Sequence, residues 1–75
     1  MVETIIGGYN ISVDGTKITI TREGLLPFGS DSYFPKTQSR GLYTILTNGE
    51  RYGFVENVSR ETAIEILRWL DKNIQ

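Results

Sequence analysis

The stretch Tyr9-Asn-Ile-Ser-Val-Asp-Gly-Thr-Lys-Ile-Thr-Ile-Thr-Arg22 decides the fold. Apolar and polar residues alternate on both sides of Asp14-Gly15, and a period of two is the signature of a strand, whose successive side chains point to opposite faces. Asp-Gly suits a two-residue type I′ hairpin turn, whose twist matches the flanking strands. Folding about Asp14-Gly15 opposes Val13 to Thr16, Ile11 to Ile18 and Tyr9 to Ile20, with Ser12 opposite Lys17 and Asn10 opposite Thr19 on the other face. One face is then apolar and the other polar. A slip by one residue would mix them.

Outward from this hairpin, the same logic predicts a second one with Asn48-Gly49 as its turn, between Leu42-Tyr-Thr-Ile-Leu-Thr47 and Glu50-Arg-Tyr-Gly-Phe-Val55. It would be apolar on both sides, with Tyr43 opposite Phe54 and Ile45 opposite Tyr52 on one face and Leu42 opposite Val55 on the other. Met1 to Gly8 adds an edge strand through Val2, Thr4, Ile5 and Ile6, interrupted at Gly7-Gly8. At the other end Ser59 is a good N-cap, Glu61 lies in the first turn where the helix dipole favours an anion, and Val58 can staple to Ala63. Ala63, Ile66, Leu67, Leu70 and Ile74 recur at helical spacing and form one apolar stripe, with Trp69 off its centre, either closing the edge of the core or making a contact.

The expectation is a single α+β domain over residues 1–75. It has an antiparallel sheet of four to five strands built from two tight hairpins (about 9–13, 16–22, 42–47 and 50–55), a long loop over 24–40, and a C-terminal helix over about 60–73 packed on one sheet face. In element order this resembles the second half of a pleckstrin-type domain, and also the strand-strand-strand-strand-helix order of small dimeric single-strand nucleic-acid binders. The resemblance lies in order alone and assigns no residues.

Composition narrows function. The 75 residues contain no histidine and no cysteine. His-dependent triads, thiol nucleophiles, soft-ligand metal sites and disulfides are excluded, so an enzyme, a cofactor or a metal is not expected. Eight basic against nine acidic residues give a net charge of -1, which supplies no global attraction to nucleic acid or anionic lipid. No apolar run approaches the roughly 20 residues of a membrane span, and Met1 to Gly8 lacks the features of a leader, so a soluble, cytoplasmic chain is expected. Small domains without disulfides or metals often draw stability from association.

The segment from Gly24 to Arg40 is longer than the roughly 12–15 residues usual for an irregular connection and carries Leu25, Leu26, Phe28, Tyr33 and Phe34. Aromatic side chains there need either the core or a partner to bury them. The expected function is a small non-enzymatic protein-protein interaction module, able to form a homodimer. Its candidate binding residues are Phe28, Tyr33, Phe34, Lys36 and Arg40 in the loop, Tyr43, Tyr52 and Phe54 on the aromatic sheet face, and Trp69. The alternative is weak single-stranded nucleic-acid binding, with Tyr33 and Phe34 stacking on bases and Lys36 and Arg40 meeting phosphates.

Overall fold

The chain from Val2 to Arg22 runs as a three-stranded antiparallel meander: β1 (Val2–Ile6), β2 (Tyr9–Asp14) and β3 (Lys17–Arg22). The computed structural model describes residues 1–15, 17–22, 33–35 and 39–73, with the backbone alone at 33–35 and 39–40. Gly7 and Gly8, at φ 56° and 85°, form the two-residue turn from β1 to β2, because only a residue without Cβ enters that region freely. The pair that looked like an interruption is the turn itself.

The β2–β3 register differs from the expected one. Asp14 pairs with Lys17, Val13 with Ile18, Ile11 with Ile20 and Tyr9 with Arg22, a displacement of two residues. Side-chain direction repeats every two residues, so alternation cannot distinguish registers two apart. The observed register sets β-branched side chains against one another and opposite charges at the turn, both favourable cross-strand pairs.

The larger correction concerns residues 39–55. The expected strands 42–47 and 50–55 are absent; the chain forms helix α1 (Ser39–Thr47) and then a 3-10 turn (Gly49–Tyr52). Leu42 and Leu46, one helical turn apart, are both fully buried, which a helix achieves for an i, i+4 pair. Asn48-Gly49 is a helix exit rather than a hairpin turn. The Asn48 amide and its Nδ2 both donate to the Thr44 carbonyl, at 3.0 and 3.2 Å. Gly53, at φ 89°, donates to the Glu50 carbonyl and Phe54 to that of Gly49, satisfying carbonyls that the turn leaves open. Neither Asn48 nor Gly49 is left-handed here: Asn48 stands at φ -120°, and its side-chain amide on the Thr44 carbonyl is what closes the helix end.

Within the expected irregular loop, β4 (Tyr33–Pro35) pairs antiparallel with β3, Ile18 opposite Phe34, and the sheet order is β1-β2-β3-β4. The other residues of 24–38, including Phe28 and Lys36, lie outside the described residues, as does Ile74. Helix α2 (Arg60–Asn73) starts where the Ser59 Oγ accepts from the Thr62 amide at 3.3 Å. With two helices rather than one following the sheet, the element order matches neither of the two domain types it resembled.

The fold is thus α+β with an antiparallel sheet. Tyr9, Ile11, Val13, Ile18 and Ile20 from the sheet, Leu42 and Leu46 from α1, Val58, and Ala63, Ile66 and Leu70 from α2 form one buried cluster. The helices touch each other, α2 reaching β1 and β2 while α1 reaches β4. Their residues share a core with one sheet face alone. The other face carries Glu3, Ile5, Asn10, Ser12, Thr19 and Thr21, and no helix of the described residues packs on it.

Candidate interaction site

Two surfaces follow from this arrangement, the sheet face opposite the helices and the outer edge of β1. That face bounds a shallow cleft of about 670 Å³ lined by Glu3, Ile5, Asn10, Ser12, Thr19 and Thr21. Hydroxyls, an amide and one carboxylate line it. They can exchange hydrogen bonds with a ligand or a partner chain. Among the described residues, no three of His, Cys, Asp or Glu gather to hold a metal ion, and no helix is long and apolar enough to cross a membrane.

The edge follows from strand parity. In an antiparallel ladder, alternate opposed pairs exchange both backbone hydrogen bonds. A two-residue turn makes its closing pair one that exchanges bonds; here those pairs are Ile6 with Tyr9 and Asp14 with Lys17. Val2, Thr4 and Ile6 therefore direct their peptide groups toward β2, and Glu3 and Ile5 direct theirs outward. No described strand pairs with that side. Val2 on the helix-side face is 46% exposed and Ile5 on the opposite face 57%, so apolar side chains flank the free edge above and below.

A third cluster is structural. Tyr9 donates from its hydroxyl to Glu56 Oε1 at 2.6 Å, Arg22 forms an ion pair with the same oxygen, and the guanidinium stands 5.6 Å from the Tyr9 ring centroid. Burial pushes the Tyr9 phenol above its ordinary 10.0, and the neighbouring Arg22 charge opposes that rise. These groups tie the segment before α2 to the end of the sheet.

The expected site residues are dispersed. Tyr43 and Phe54 are half-buried against the core, and the Tyr43 hydroxyl accepts from Arg60 Nε at 3.1 Å. Trp69 also packs against the core, part-buried. Tyr52 is 53% exposed, with Val55 at 62% on the same connection. Tyr43, Tyr52 and Phe54 form no aromatic sheet face, because their segment is not sheet. The backbone of Tyr33 and Phe34 lies in β4 and that of Arg40 in α1; their side chains, and Phe28 and Lys36 entirely, fall outside the described residues. Glu3, Thr4 and Ile5 were not among the candidate residues, although the edge strand that carries them was expected; the signal left unread was Gly7-Gly8 as its turn, which fixes the peptide groups that face away from β2.

The chain matches no family model, no curated protein and no solved structure.

Proposed function

We propose that the protein is a small non-enzymatic protein-protein interaction module whose binding surface is the outer edge of β1, where it accepts an added strand. The carrying observation is that among the described residues β1 is paired on one side alone, with Val2 and Ile5 exposed on its two faces. An edge strand presents a row of unpaired donors and acceptors, which natural domains blunt with charges, proline or bulges unless the edge is used. Here Glu3 is the one charged side chain on β1. The missing histidine and cysteine support the non-enzymatic reading.

A displayed library of short random peptides, selected on dilute immobilised protein and counter-selected on the Glu3→Pro variant, tests this. Proline at position 3 removes an outward N–H without touching the ladder to β2, a substitution edge strands tolerate. Extended, β-branched peptides that bind the parent and not the variant are expected. Peptides that bind both equally would overturn the assignment.

A further inference from the structure

We infer that the strand added to β1 is β1 of a second copy of this chain, antiparallel to the first, with the two-fold axis passing between the two copies of Thr4. This rests on the edge reading above and goes further by naming partner and register.

Symmetric pairing through the edge must match outward peptide groups with outward ones, so Glu3 and Ile5 are the residues that exchange bonds. Three centres give extended overlap. Centring on Glu3 sets two carboxylates directly opposite, a destabilising like-charge pair. Centring on Ile5 sets Glu3 against Gly7 of the turn and leaves Val2 without a partner. Centring on Thr4 opposes Glu3 to Ile5 twice, Val2 to Ile6 twice, and Thr4 to its own copy. Axes further out shorten the overlap.

The Thr4 register removes each defect of the free edge. Val2, Thr4 and Ile6 share the face that carries the core, since they pair with Val13, Ile11 and Tyr9. Val2 against Ile6 of the second copy therefore continues the apolar layer across the axis, beneath α2, which contacts β1. Thr against Thr is a favourable cross-strand pair. On the opposite face the aliphatic stem of Glu3 covers Ile5 of the second copy, while its carboxylate stays in water. Charge separation selects one register, and that register buries Val2 and Ile5 together.

The chain's lack of cysteine makes the register measurable. In sedimentation equilibrium the parent should approach twice 8.5 kDa as concentration rises, and Glu3→Pro should remain at 8.5 kDa. Ile5→Asp serves as a second disrupting variant, because it sets Asp against Glu3 at an exposed site that the fold does not need, and it too should halve the mass. Thr4→Cys should cross-link rapidly on oxidation, since a non-hydrogen-bonded antiparallel pair has Cα atoms roughly 4.5 Å apart, within disulfide reach. Glu3→Cys and Ile5→Cys, at diagonal distances of roughly 7–8 Å, should cross-link far more slowly. A parent that stays monomeric at all concentrations overturns the inference, and the peptide selection then decides the edge reading independently. A dimer that cross-links fastest at position 3 or 5 overturns the register. A dimer that both Glu3→Pro and Ile5→Asp leave intact places the contact elsewhere and overturns the inference and the edge reading together.

Discussion

Gly7 lies so close beneath Thr62 that a Cβ at position 7 would stand 2.8 Å from the Thr62 Cγ2 and 2.9 Å from its Oγ1. The β1–β2 turn and the first turn of α2 are therefore in direct contact, and this contact helps to set how α2 lies near the β1 edge.

Gly7→Ala should consequently destabilise more than Gly8→Ala. Both enter left-handed backbone, at a cost of about 1–2 kcal/mol for a residue with Cβ. Only Gly7→Ala also meets Thr62, because Gly8 has nothing within 4 Å. Urea denaturation of the two variants gives the difference. Adding Thr62→Ala to Gly7→Ala should recover part of the loss, and strict additivity of the two substitutions would show that the contact carries no energy.

Tyr9 gives the protein an alkaline limit. Its folded-state pKa is raised by burial, so the protonated phenol is favoured in the folded state and the unfolded chain releases that proton first. The associated stability is complete below the ordinary value of 10.0 and is lost as pH rises from there through the folded value. Stability measured against pH should fall above about pH 10, and Tyr9→Phe should flatten that fall while costing about 1 kcal/mol at neutral pH through the lost bond to Glu56. An unchanged alkaline limb in Tyr9→Phe would assign the loss to other groups.

Thr44 distinguishes the helix from the expected hairpin by sign. It is exposed in the interior of α1, where Ala exceeds Thr in helix propensity by up to about 0.7 kcal/mol. Thr44→Ala should therefore stabilise, by about half a kcal/mol, in chemical denaturation. In a strand the same change would destabilise, since β-branched Thr fits a pleated surface better than Ala.

How far the sequence speaks depends on the length scale of each signal. The apolar face of Tyr9, Ile11, Val13, Ile18 and Ile20 was legible because alternation is local, and these side chains are indeed the sheet's share of the core. Their register was legible only modulo two. The Ser59 cap and the stripe of Ala63, Ile66 and Leu70 were legible for the same reason, since capping and helical spacing span a few residues. Leu42-Tyr-Thr-Ile-Leu-Thr47 was ambiguous: Leu42, Thr44 and Leu46 alternate with Tyr43, Ile45 and Thr47 as a strand would, while Leu42 and Leu46 also sit one helical turn apart.

By itself, then, the sequence determined that there is an antiparallel sheet with one apolar face, that a capped amphipathic helix ends the described chain, and that histidine and cysteine chemistry is excluded. Tertiary structure decided the rest. Leu42 and Leu46 are buried in a core formed with the sheet and α2 while Thr44, which a strand would put on the same face, is exposed, and a helical turn presents the two leucines without it. Once residues 39–47 became helix, nothing in that segment could extend the sheet. The outer side of β1 was left unpaired among the described residues, and no aromatic sheet face formed from Tyr43, Tyr52 and Phe54.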